Sequence, residues 1–200
     1  MSKLKWLFVF VLMLLGSVFF IFKRTSSVAS SSKQLPLIAK VGSFELTNQE
    51  GQSFGSKELH GDLWVVNFIF TRCQGSCPVL TKKYLYLQQQ LKDLKQLKYV
   101  SITMDPKFDT AVILKKFGSR YQADFKRWSF LTGEQDHIIQ IARNLFKIPA
   151  DKNPELHSTR LVLVDRDANI RGYYEGLDDQ SIQTLIDHIR LLTRLDKSVS

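Results

Sequence analysis

Residues 63–70 read LWVVNFIF, a run without a charge and rich in β-branched and aromatic side chains. A strand with one wet face alternates apolar and polar residues. This run does not, so it belongs in the middle of a sheet buried on both faces. Both faces must then be covered, and helices are the usual cover for such a sheet. The chain supplies one at once. Leu80, Tyr84, Leu87, Leu91 and Leu94 recur at spacings of four and three, the apolar stripe of a helix of about five turns.

Strands and helices go on alternating. Residues 99–104 predict the next strand, ended by Asp105-Pro106, and residues 109–121 a helix. A short strand follows at 128–131, then an amphipathic helix carrying Ile138, Ile141, Ala142 and Leu145. After a polar loop at 149–154 come a strand at 160–164, a turn at 165–169 and a returning strand at 170–174. Ile182, Leu185, Ile186, Ile189 and Leu192 mark the last helix. Upstream, residues 41–54 (VGSFELTNQEGQSF) read as a short β-hairpin turning at 48–51. Alternating elements imply a single α/β domain with a covered sheet, and 200 residues are enough for one well-buried core.

The first residues are of another kind. Residues 6–22, WLFVFVLMLLGSVFFIF, carry no charge and are flanked by Lys3, Lys5, Lys23 and Arg24. A bilayer core takes about 20 apolar residues, with about 17 at the lower limit. The expected organisation is a single-pass membrane anchor over 1–24, a Ser-rich tether over 25–35 and a folded domain over 36–195. A secretory signal cut near Ser27-Val28-Ala29 is the alternative. The net charge of +9 is concentrated at this end, since residues 1–33 hold five bases and no acid. The rest is only mildly basic and shows no nucleic-acid motif, so a nucleic-acid partner is not expected.

The only two cysteines, Cys73 and Cys77, lie four apart in FTRCQGSCPV, where the core strand gives way to the helix. Pro78 suits a first helical turn, because its missing N–H needs no partner there. Amides at a helix N-terminus stabilise a thiolate. Residues four apart meet on one helix face, and Gly75 lets the loop between them fold tightly. A cysteine pair at this junction, with a final hairpin and helix, points to a thioredoxin-like fold. Three readings stand side by side: a reactive or metal-binding pair, a structural disulfide, or two buried thiols. The polar loop and the strand-to-helix position favour the first.

Two thiolates are an incomplete site for most ions. Zinc takes four ligands, Cu(I) favours thiolates, and two thiolates with an imidazole also suit Cu(II). A further ligand must come from elsewhere, and the chain has four histidines. His60 is in a loop, His137 near a helix start and His188 on the polar side of the last helix, where surface or structural roles suffice. His157 stands in the loop just before the strand at 160–164, the point of a thioredoxin-like sheet that faces the cysteine loop. Spacing leaves it either a ligand or an ordinary loop residue.

FTRCQGSCP at 70–78, ITMDPKFDT at 102–110, WSFLTG at 128–133 and LHSTRLVLVD at 156–165 together resemble the SCO (SCO1/SenC) family of thioredoxin-like copper chaperones, over residues 37–192. The resemblance implies a copper ion, Cu(I) or Cu(II), held by Cys73, Cys77 and His157. It also implies a client, the cytochrome c oxidase subunit that carries Cu(A). With the anchor, it places the protein in a bacterial inner membrane facing the periplasm, the mitochondrial inner membrane being second. Asp105, in the Asp-Pro element, is expected beside the site or at a partner surface, with capping of the strand end as its ordinary role. Two departures stand out. Gln74-Gly75-Ser76 carries no acid where the family usually has one, and Leu156 replaces a typical Asp before the histidine. Less negative charge near the sulfurs eases thiolate formation. The alternative is a thiol-disulfide oxidoreductase that keeps client cysteines reduced, in which Cys73 attacks and Cys77 resolves. The spacing of three residues between the cysteines, and the absence of proline in His157-Ser158-Thr159, favour metal. A peroxidase would need an activating constellation around one cysteine, and none is seen.

Overall fold

The uncharged run becomes β4 (Leu63–Ile69), and every residue of it is buried. The structure is a computed structural model that describes residues 35–156 and 158–197. The chain divides into residues 1–35 and residues 36–200. In the second unit the strands are β1 (Ala39–Lys40), β2 (Glu45–Asn48), β3 (Ser53–Gly55), β4, β5 (Leu97–Thr103), β6 (Trp128–Thr132), β7 (Arg160–Val164) and β8 (Asn169–Glu175). They form one sheet in the order β1-β8-β7-β4-β5-β6-β2-β3. β4 runs parallel to β5 on one side and antiparallel to β7 on the other. β2 and β3 make the expected hairpin, and Gly51 takes the positive φ (78°) that its turn requires. β1, too short to leave a sequence signal, pairs with β8.

The two faces of β4 bury different partners, because successive side chains point to opposite sides. Trp64, Val66 and Phe68 meet the core of Phe44, Phe146, Ile138 and Ile141. On the other face, Tyr84 of α1 (Ser76–Gln90) packs on Tyr99 and Trp128, and Phe117 of α2 (Ala111–Arg120) packs on Phe130. α3 (Gln135–Gln140) runs on into a π-turn at Ile141–Leu145, and α4 (Asp179–Lys197) closes the domain.

Two helices differ from their sequence patterns. The first stripe extends to Leu94, yet α1 stops at Gln90. Past that end the chain makes successive turns, Leu94 and Leu97 N–H reaching back only three residues to Leu91 and Leu94 (3.1 Å each), and the guanidinium of Arg127 donates to the carbonyls of Gln88 (3.3 Å), Leu91 (3.2 Å) and Leu94 (3.2 Å) that this leaves. Leu91 and Leu94 still face the core side, but in a turn. The stripe at 138–145 is likewise only half α-helical, since Phe146 N–H reaches back five residues to Ile141 (3.2 Å).

The expected membrane anchor needs correction. Residues 6–22 lie outside the described residues, as does all of the proposed tether but Leu35. Among the described residues no helix is long and apolar enough to cross a membrane. The longest, α4, has 19 residues. It carries Asp187, Arg190 and Arg194 along its length, each costing about 3 kcal/mol at a bilayer centre. The structure therefore supports the thioredoxin-like α/β part of the expected fold and not its transmembrane helix. The inner-membrane localisation that rested on that helix is withdrawn with it.

Candidate metal and thiol centre

β4 delivers the chain to the site. Past Ile69, whose carbonyl still accepts from Met104 N–H (2.7 Å), the backbone turns, and Cys73 N–H donates to the Phe70 carbonyl (3.3 Å). α1 then begins at Ser76, with Gly75 at its N-cap. Gly75 has φ −103°, so a tight left-handed turn is not what glycine provides here. Cys77 is the second residue of the helix and Pro78 the third, in the first turn, where proline fits.

The two thiols are brought together but not joined in a disulfide. Cys77 N–H donates to the Cys73 sulfur at 3.4 Å. Their surroundings differ. Cys73 is partly exposed and Cys77 is 1% exposed. Burial alone would raise the Cys73 thiol. The amides of Cys77 and Gly75 and the side chains of Cys77 and Ser76 outweigh it, and its pKa falls below the ordinary 9.0. Cys77 is pushed up to about 12, first by burial and then by the neighbouring Cys73 sulfur and the Asp109 charge, against a lowering bond at Phe70. One sulfur ionises more easily than an ordinary thiol. The other holds its proton.

Asp105 sits beside this loop, 8% exposed. Its Oδ2 accepts from Arg72 at Nε (3.1 Å) and Nη2 (2.5 Å), and the guanidinium lies 4.4 Å over the Phe108 ring. Its visible partner is thus the residue next to Cys73. A capping role for the side chain is not seen, since its bonds go to Arg72.

His157 lies outside the described residues. Thr159, two residues on, accepts from Gly176 N–H (3.1 Å). A Cβ on Gly176 would fall 2.6 Å from the Thr159 oxygen and 2.3 Å from Leu80 Cδ2. The residue before β7 therefore lies close to Leu80, in the second turn of α1. Among the described residues no group of three or more His, Cys, Asp or Glu side chains is gathered to hold a metal ion. The other histidines are elsewhere: His188 pairs through Nδ1 with the Tyr174 hydroxyl (2.7 Å), and the His137 amide donates to Glu134 (2.7 Å).

One residue escaped the sequence reading. Asp109, taken there only as the start of a helix, is fully buried under the cysteine loop. Its carboxylate accepts from Thr71 N–H (2.9 Å), the Thr71 hydroxyl and the Thr103 hydroxyl (2.5 Å). The signal available was a second acid four residues after Asp105 in MDPKFD, but spacing alone could not show that it turns inward.

Comparison with known proteins agrees with this geometry. The SCO1/SenC family model matches residues 33–194. The chain is 31% identical over 166 residues to the SCO1 protein homolog of Bacillus subtilis (strain 168), covering 80% of this chain and 86% of that one. Among solved structures, a SCO1/SenC family lipoprotein from Bacillus anthracis str. Ames is 31% identical, with a TM-score of 0.74 over 79% of this chain and 97% of that one. BsSco, a member of the Sco family of cytochrome c oxidase assembly proteins with an identified disulfide switch, is 32% identical, with a TM-score of 0.73 over 81% and 98%. Bradyrhizobium japonicum ScoI, solved with copper bound, shares the fold at 23% identity and a TM-score of 0.62, over 74% and 98%.

Proposed function

The chain belongs to the SCO1/SenC family, and from that premise we propose that it is a copper metallochaperone serving the Cu(A) site of a cytochrome c oxidase subunit. Cys73, Cys77 and His157 hold the ion. The observation that carries the reading is the pairing of the two sulfurs at the mouth of α1, with Cys77 N–H on the Cys73 sulfur. Relatives support it, since family structures from yeast and Arabidopsis thaliana also hold copper. Cys73, already inclined to ionise, is the sulfur that meets the incoming ion. Cys77 gives up its proton as the metal binds, so loading releases protons and strengthens as pH rises. Two soft sulfurs and one imidazole leave the ion coordinatively open, and a client thiolate can enter as one of them leaves.

Cu(I) binding by reduced residues 34–200, in competition with a chromogenic chelator, tests this. One tightly held ion per chain is expected, with affinity markedly weakened in His157→Ala. Equal affinity in both proteins would remove His157 from the site.

A second reading is favoured by the asymmetry of the two thiols. An accessible, readily ionised Cys73 over a buried, protonated Cys77 is also the arrangement of an attacking and a resolving cysteine. Thiol-disulfide exchange that survives His157→Ala, without tight copper binding, would select it.

A further inference from the structure

The cysteine loop is held from below by the turn that follows β5. Two consecutive loop residues are gripped by two carboxylates of that turn: Arg72 by Asp105 and Thr71 by Asp109. The turn is itself closed, because Phe108 and Asp109 N–H both donate to the Asp105 carbonyl, at 3.1 and 2.8 Å. Arg72 is on the surface, with 57% of its side chain exposed, so water competes for that bond. Asp109 is fully buried, and nothing competes there.

Two of the bonds to Asp109 have a fixed direction. The Thr103 hydroxyl oxygen accepts from Asp105 N–H (3.0 Å), so its one proton is left to donate to Asp109. The Thr71 amide donates as well. Two fixed donors, the Thr71 amide and the Thr103 hydroxyl, meet on Oδ2, and the Thr71 hydroxyl, which by its nature can donate or accept, meets Oδ1. Asparagine, of nearly the same shape, can keep its oxygen on the two fixed donors and turn its NH2 to the Thr71 hydroxyl, but its neutral hydrogen bonds are roughly half as strong as those to a carboxylate.

We propose that Asp109 is a positioning residue for the cysteine pair, the buried anchor that fixes residues 71–73 so that the Cys73 sulfur stands against the start of α1. Asp109 holds Thr71, two residues before Cys73, and Thr103, so it bridges the ends of the parallel neighbours β4 and β5. The inference rests on the reading of Cys73 and Cys77 as a functional pair and deepens it.

The test measures the pair itself, without metal. In glutathione buffers the protein dithiol and oxidised glutathione exchange to the protein disulfide and two reduced glutathiones. The equilibrium constant reports the effective concentration of one sulfur at the other. Asp109→Asn is expected to lower it about tenfold, and to weaken Cu(I) binding by about the same factor, in line with the usual effect of groups that orient metal ligands. Thr103→Val, which removes one donor but keeps the charge, is expected to move both in the same direction by a smaller factor. Arg127→Ala, remote from the site, serves as the control for lost stability alone and should move neither. An Asp109→Asn protein that folds yet keeps both constants within twofold of the parent would overturn the proposal. So would an Arg127→Ala protein of equal instability showing the same shifts. If the parent fails to bind copper while Asp109→Asn still lowers the thiol constant, the anchor stands and the copper reading falls.

Discussion

At pH 8, iodoacetamide should modify Cys73 and leave Cys77 nearly untouched in the folded protein. Cys73 ionises below 9.0, so at least about one-tenth of it is thiolate at that pH. Cys77, pushed up to about 12, is thiolate in only about one molecule in ten thousand. The ratio of reactive forms is therefore about a thousand or more. A more basic thiolate is intrinsically the better nucleophile, and with a Brønsted slope near 0.45 three pH units return about 25-fold to Cys77. Cys73 keeps an advantage of about fortyfold, before access is counted. Access widens it, because Cys77 is 1% exposed. The assay is a time course of alkylation between pH 6 and 10, with the modified cysteine located by peptide mass spectrometry. The Cys73 rate should pass its midpoint below pH 9, while the Cys77 rate is still climbing at pH 10. Comparable rates for the two cysteines at pH 8 would refute the argument, because neither the helix amides nor burial would then be acting as the geometry requires.

Two further expectations concern the frame around the site. Gly176→Ala should cost about 1–3 kcal/mol by urea unfolding, the usual penalty of overpacking, because its Cβ would press on the Thr159 carbonyl and Leu80. The strain falls on the backbone two residues past His157, so Cu(I) affinity should drop with stability; an unchanged urea midpoint and affinity would count against that packing. Arg127→Ala should cost about 1–3 kcal/mol, since the Gln88 carbonyl loses this donor and those of Leu91 and Leu94 keep only the amides of Leu94 and Leu97. A loss under about 0.5 kcal/mol would mean that water replaces the guanidinium at no cost.

Much of this protein is legible in its sequence because the relevant signals are local. The charge-free run at 63–69 could only be a central strand, the stripe from Leu80 to Leu91 could only be a helix against it, and two cysteines at their junction could only stand at that helix's N-terminus. Family membership follows from short motifs around these same points. What the sequence left open depends on groups far apart in the chain. Leu94 carried the helical pattern onward, but the chain there breaks into turns whose carbonyls are bound by Arg127, over thirty residues away. Asp109 looked like a helix start until the sheet placed Thr71 and Thr103 against it. Most of all, the two thiols are the same side chain in the sequence and opposite in behaviour in the fold. One turn of helix gives Cys73 the free amides at its N-terminus and sends Cys77 into the core, and the difference in solvation is decided by packing that no spacing rule contains.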